Sequence, residues 1–344
     1  MPAAMATGTT RLSRWHVLGA ALVLAGVLVS AALFGAIDLD WHRVIAEVVA
    51  QLTGGVSPLT EQESAILWQL RMPRVVLGGL VGAALACSGA TFQGVFRNPL
   101  ADPYLLGAAA GAGMVVTGMV VLAPHTPASF LPVAAFTGSI GGVGLTWTLG
   151  RSAGSGTAHL LLAGVAVASF LTAVQTFVQQ LNTDTLQRVY GFILGGLATT
   201  GWNQVLAVLP YLVVTSIVLC ACAGLLDVLA LGDEEATSLG IRPGLVRALV
   251  LGAASLATAA AVSVSGLIGF VGIVVPHLIR LLFGASYRVV VPLSLVGGAV
   301  FLMVADVVAR TALAPAELPI GVVTAFSGAP FFILVLRATG GRRS

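Results

Sequence analysis

The residues able to do chemistry are few, and most are arginines. Asp306 stands inside a long apolar run with Arg310 four residues further on. A carboxylate at that depth is costly. It reads either as a proton relay or as one half of an i, i+4 ion pair with Arg310, which is the simpler account. Arg71 and Arg74 are three apart, so on a helix they share a face; on the residues alone they are snorkelling arginines that anchor a helix end. Asp233, Glu234 and Glu235 form an acidic cluster whose ordinary meaning is a solvated loop. His277 and Arg280 follow Pro276 with no second ligand at useful spacing, and His42, His125 and His159 are isolated, so no metal site emerges. No cluster of His, Asp or Glu forms a catalytic constellation. Cys87, Cys220 and Cys222 lie in apolar stretches, too few for a disulfide framework, and read as packing.

All 16 basic residues are arginine, and the sequence has no lysine. A nucleotide-binding loop of the form G-x-x-x-x-G-K-[ST] needs its lysine on the phosphates. This chain has no such loop, so any ATP that drives it is bound by another polypeptide.

The elements that must position these groups are set by composition. Of 344 residues, 58% are hydrophobic and 8% charged, with a mean hydropathy of +1.02. Soluble domains carry about 25% charge, so the bilayer must be the solvent for most of the chain. The formal charge of +3 is small and scattered, which gives no nucleic-acid face. Uncharged apolar runs at 16–37, 75–96, 104–123, 130–150, 159–181, 203–226, 248–264, 265–279, 289–305 and 319–336 predict an all-α polytopic protein of about ten spans, each about 20 residues. The pair 248–279 divides near Ser263 to Gly266, which puts Arg280 at the inner end of the eighth span. The 42 glycines suit close helix packing in lipid. Val17 to Ile37 exceeds a signal-peptide core and reads as a retained first span.

Arginine placement sets orientation. With the N-terminus cytoplasmic, positions 11, 14, 97, 151, 242, 247, 280, 288, 337, 342 and 343 fall inside, and Arg43, Arg71, Arg74, Arg188 and Arg310 outside. Both termini are then cytoplasmic, as an even number of spans requires. Residues 38–70 form an external insertion in which Trp41 to Leu52 reads as an amphipathic surface helix. Tyr190 to Gly201 is too short to span and reads as an external cap. Leu231 to Pro243 reads as a polar inner loop with a short helix that starts on its acidic residues and stops at Gly240.

The run from Trp68 to Gly111 contains Arg71-Met72-Pro73-Arg74 and Arg97-Asn98-Pro99-Leu100-Ala101-Asp102-Pro103. Further on stand Leu160 to Val165, Ala230-Leu231-Gly232, Gly269-Phe270-Val271-Gly272, Pro276-His277-Leu278-Ile279-Arg280, Ala305 to Arg310 and Glu317 to Ala325. In this order the blocks closely resemble the permeases of iron–siderophore, haem and cobalamin importers, the type II importers of the ABC superfamily. Only the region before Trp68 departs, with a longer and more polar insertion than some members have.

The resemblance implies a single permease domain over 1–344, with an external insertion at 38–70 and a cytoplasmic coupling loop at 227–244. It implies ten helices per subunit and a homodimer around a central pathway in a bacterial plasma membrane. A metal chelate is the implied substrate, and the implied partners are two ATP-binding subunits and an extracytoplasmic binding protein. It implies no cofactor on this chain, ATP and Mg being held by the ATPase. Arg71, Arg74 and Arg310 match positions that dock the binding protein. Asn98, Leu100, Gly156 and Thr157 match the cytoplasmic gate, although Asn98 to Asp102 is equally an ordinary capped turn. Leu231, Gly232, Asp233, Glu234, Glu235, Ala236, Leu239 and Gly240 match the helix that couples to the ATPase. The alternative is an ion-coupled secondary transporter, which needs buried ionisable groups and has little beyond Asp306.

Overall fold

Hydrocarbon offers no partner for backbone N–H and C=O groups, so apolar segments at membrane depth close their hydrogen bonds internally as helices. A computed structural model describes residues 12–35, 40–154, 156–197 and 201–340. Arg11, Arg342 and Arg343, part of the orientation count, lie outside the described residues. So do 36–37 of the first apolar run, 38–39 of the insertion and 198–200 of the external cap. In chain order the helices are α1 (Arg14–Leu33), α2 (Trp41–Thr53), α3 (Glu61–Ala65), which runs through a π-turn at Ile66–Arg71 into α4 (Met72–Phe96), α5 (Ala108–Leu122), α6 (Leu131–Ala153), α7 (Thr157–Gln179) and α8 (Leu186–Ile193). There follow α9 (Trp202–Ala221), α10 (Ala223–Leu231), α11 (Asp233–Ser238), α12 (Pro243–Ser265), α13 (Val271–Phe283), α14 (Tyr287–Thr311) and α15 (Ile320–Gly340).

Among the described residues, seven helical stretches are long and apolar enough to cross a bilayer: α1, α3–α4, α6 with its preceding turn, α7, α9, α12 and α14. The shorter apolar helices α5, α13 and α15 complete the ten runs. The chain is therefore an all-helical multi-pass membrane protein. Its most apolar stretch of α3–α4 is 83% buried against 11% for α1, which makes α4 the protein-surrounded axis and α1 a lipid-facing edge.

Glycine sets the approach of α4 to its neighbours. A Cβ at Gly82 would overlap the carbonyl of Gly298 on α14, and one at Gly89 would overlap the carbonyl of Gly272 on α13. Apolar burial gives no net drive between helices in lipid, so such backbone proximity supplies the dispersion contact that holds them together. Ser88 Oγ adds a hydrogen bond of 3.0 Å to Ala254 O on α12.

Three elements differ from the expectations. The seventh and eighth spans are separated by a non-helical stretch at 266–270 rather than at Ser263 to Gly266, and the eighth runs from Val271 to Phe283. The external cap begins earlier, as α8, and residues 194–197 are irregular. The sixth apolar run continues past residue 226 through α10 to Leu231, so only Gly232 onward leaves the helical body.

The insertion is packed rather than loose. Glu47 of α2 is fully buried and accepts hydrogen bonds from Gln51 Nε2 at 3.0 Å, Trp68 Nε1 at 3.1 Å and Ser57 Oγ. Arg43 donates to both carboxylate oxygens of Glu63 at 2.8 Å. The opposite side of α2 exposes Trp41, Ile45, Val48 and Val49, a stripe suited to a membrane surface.

Gly82→Ala and Gly89→Ala are each expected to lower stability by about 1–3 kcal/mol through overpacking. Gly141→Ala and Gly252→Ala, where an added Cβ meets nothing within 4 Å, are expected to leave it unchanged. Thermal unfolding in detergent measures the four side by side.

Candidate functional site

Where α1 ends, Arg71, Arg74, Asp306, Arg310 and Glu317 lie together, and two of them reach the last carbonyls of α1. Asp306 on α14 is 1% exposed and pairs with two guanidiniums, Arg310 Nε at 2.9 Å and Arg74 Nε at 2.9 Å. Arg74 reaches further and donates through Nη1 and Nη2 to Glu317 Oε1 and Oε2, both at 2.9 Å. The structure thus holds the Asp306–Arg310 pair and adds Arg74 to it. Arg71 and Arg310 are both buried. Arg71 Nη1 donates to Ala32 O and Leu33 O at 2.9 Å, and Arg310 donates to Ala31 O and Phe34 O at 3.2 Å. The last carbonyls of a helix lack intrahelical partners, and a cation there also complements the helix dipole. Two arginines from other helices supply both to α1.

Arg71 ends the π-turn Ile66–Arg71, and Arg74 stands in the first turn of α4. Arg71 reaches the end of α1, whereas Arg74 reaches α14 and the 312–319 link.

Between α12 and α13, the stretch 266–270 carries irregular backbone, and its polar groups are met by protein. Leu267 N donates to Phe192 O at 3.3 Å and Gly196 N to Ser265 O at 2.8 Å. Tyr104 Oη accepts from Ile268 N at 3.2 Å and donates to Ile268 O at 3.1 Å. Gly266 and Phe270 have φ of 64° and 68°; the strain at Phe270 is the kind that surrounding structure must hold in place. The start of α15 joins this patch through Ile320 N to Gly195 O and Gly321 N to Leu194 O, both 3.1 Å. Beside it opens a groove of about 580 Å³ whose walls include Ile193, Leu194, Leu267, Phe270, Val322 and Phe326.

At the opposite end of α4, Asp233 is the meeting point. It accepts from Arg97 Nη2 at 2.6 Å and from Arg247 Nη1 at 2.8 Å, with Arg247 Nη2 also on Oδ1. Arg97 Nε donates to Leu229 O at 2.9 Å. The first residue of α11 is thereby fastened to the end of α4 and the start of α12. Arg247 first, and Arg97 after it, hold the Asp233 carboxyl below its ordinary value of 3.8. A carboxyl with a depressed folded-state pKa stabilises fully above its ordinary value, and the contribution disappears as pH falls through the folded one.

Around that node, Ala236 is buried, whereas Leu231, Glu234, Glu235 and Leu239 are exposed. Gly232 and Gly240 take positive φ on either side of α11. Asn98 and Leu100 are exposed; Asn98 Oδ1 accepts from Leu100 N at 2.9 Å, which closes the turn after α4. Asp102 caps the short 3-10 turn Pro103–Leu106 through Tyr104 N. Gly156 and Thr157 start α7 and line a cavity of about 370 Å³ with Trp147, Arg151, Leu245 and Arg247, a cavity that Asn98 and Leu100 do not reach.

Sequence reasoning missed Glu317, Arg97, Arg247 and Tyr104 as site residues. Glu317 had a signal: it is the sole carboxylate in the link after Arg310. Arg97 and Arg247 had only their position near the acidic cluster, and Tyr104 had none.

The sequence profile described as the FecCD transport family matches residues 13–338. The cobalamin import system permease of Halobacterium salinarum is 42% identical over 301 residues, 87% of this chain and 80% of that protein. The hemin transport system permease of Yersinia pestis is 41% identical over 281 residues, 79% of this chain and 83% of that one. A solved structure of a metal-chelate type ABC transporter in an inward-facing conformation superposes with a TM-score of 0.83 at 27% identity, covering 94% of this chain and 100% of the other. With the match extending over nearly its whole length, this chain belongs to the FecCD transport family.

Proposed function

We propose that the chain is the permease of an ATP-binding-cassette importer that carries a metal chelate, namely a ferric siderophore, haem or cobalamin, into the cytoplasm by alternating access. Two copies line the pathway about a two-fold axis. Two ATPase subunits holding ATP and Mg grip the inner face, and a binding protein delivers cargo outside. The N- and C-termini are cytoplasmic.

The observation that carries this reading is the Asp233 node. A short helix outside the apolar body, fastened by one carboxylate to the ends of two deeply packed helices, is a stiff handle for a soluble engine. Leu231 and Leu239 give it exposed apolar surface for a partner groove. The relatives support the cargo class, since their names cover cobalamin and hemin. An already chelated, bulky cargo needs walls that bind it weakly, and the apolar groove beside 266–270 has that character.

Gating falls to Asn98, Leu100, Gly156 and Thr157, the turns at the inner ends of α4 and α7, acting against the second copy. Docking outside falls mainly to Arg74, because Arg71 and Arg310 are buried and reach carbonyls at the end of α1. A proton-coupled mechanism would require Asp306, whose engagement by two guanidiniums favours a structural ion pair.

Cysteines placed at Leu231 and Leu239 are expected to cross-link to cysteines in the ATPase groove; failure across several pairs would overturn the coupling role of α11. Arg74→Glu is expected to reduce stimulation of ATP hydrolysis by the binding protein at least tenfold with membrane insertion intact, and full stimulation would remove the docking role. Asp233→Asn is expected to speed amide hydrogen exchange over 233–240 severalfold at neutral pH. The wild-type loop should fall to the variant's protection factor, each corrected for the intrinsic exchange rate at its pH, only as pH falls below 3.8, and equal rates at pH 7 would mean that the node does not fasten the helix.

A further inference from the structure

We propose that Glu317 is an exchangeable internal partner of Arg74: a carboxylate held where an acidic side chain of the binding protein arrives, and displaced by it on docking. The proposal rests on the docking reading given above and names the residue that regulates it.

The outer cluster is asymmetric. Arg71 and Arg310 are buried and committed to four carbonyls of α1. Arg74 has two edges. Its Nε faces Asp306, at 1% exposure, and its two terminal nitrogens face Glu317, at 38%, with Arg74 itself at 12%. The inner bond is sealed and the outer bidentate pair is accessible. A carboxylate arriving from outside can take both terminal nitrogens from Glu317 in the same two-bond geometry. The Asp306 bond, the costly one to break, stays closed throughout.

While Glu317 occupies both terminal nitrogens of Arg74, the charge that an incoming carboxylate would use is masked. Docking must therefore displace an existing pair, which weakens it relative to an unoccupied guanidinium.

The position of Glu317 makes the exchange mechanically useful. Leu318 N donates to Ala309 O at 2.9 Å, Ile320 N to Gly195 O and Gly321 N to Leu194 O. Within four residues of the displaced carboxylate, the chain is stitched to the irregular patch that walls the apolar groove. Release of Glu317 frees the start of α15 at the point where its backbone holds that wall. Docking outside and rearrangement of the wall thereby share one short segment.

The test uses the full importer, permease with its ATPase, in nanodiscs, with the cognate binding protein as probe. Affinity is measured by surface plasmon resonance for wild type, Glu317→Gln and Arg74→Gln. Removing an accessible pair of this kind should tighten binding of the protein by about three- to tenfold and raise ATP hydrolysis at subsaturating binding protein, while Arg74→Gln weakens binding. If Glu317→Gln leaves affinity unchanged or lowers it while Arg74→Gln weakens it, the exchange is wrong and docking on Arg74 stands. If Arg74→Gln leaves affinity unchanged, docking on Arg74 fails and the exchange with it. Should Glu317→Gln not assemble, Glu317→Asp keeps the charge on a shorter arm and should tighten binding by a smaller factor; no tightening there overturns the proposal.

Discussion

A polar group in hydrocarbon must find its partner within the protein, and this constraint shapes each functional region of the chain. It is plainest at Asp306. A carboxylate at 1% exposure is stable because Arg74 and Arg310 both face it, and loss of one member of such a buried set typically costs about 3–5 kcal/mol. The same guanidiniums reach beyond it, Arg310 to the open carbonyls of α1 and Arg74 to Glu317. One buried charge thus fastens α1, α4, α14 and the link to α15 at a single level of the membrane. The break at 266–270 obeys the same constraint with neutral groups, since Phe192 and Tyr104 take its backbone donors. Irregular polypeptide can stand there only because those partners are present.

The Asp233 node is exposed and correspondingly softer. Asp233 is half exposed, so its pairs with Arg97 and Arg247 are screened and individually weak. Their value is geometric: three elements are held in register. A stiff cluster at one end and a yielding one at the other are joined by α4, which runs between Arg74 and Arg97.

Much of the helical body was legible in the sequence, and the reason is physical. An uncharged run of about 20 residues has few options in a bilayer, so the ten runs reappear as helices with shifted ends. α11 was legible because acidic residues begin it and Gly240 follows it. The i, i+4 spacing of Asp306 and Arg310 was visible as a candidate pair. The second guanidinium on Asp306 was not, because Arg74 lies 232 residues away and nothing local marks the contact. The π-turn before α4 was hidden as well, since it leaves no sign in the spacing of apolar residues. The break after Ser265 was misplaced for a related reason: the groups that satisfy it belong to α8 and to Tyr104, both distant in sequence.

The central claim is that a separate ATPase drives a chelate through this helical body. It is tested most directly by uptake of a labelled metal chelate into proteoliposomes containing the permease, its ATPase and its binding protein. The account predicts accumulation that requires ATP on the ATPase side, stops when ATP is depleted and survives an uncoupler. Uptake that persists without ATP and collapses with the uncoupler would contradict it.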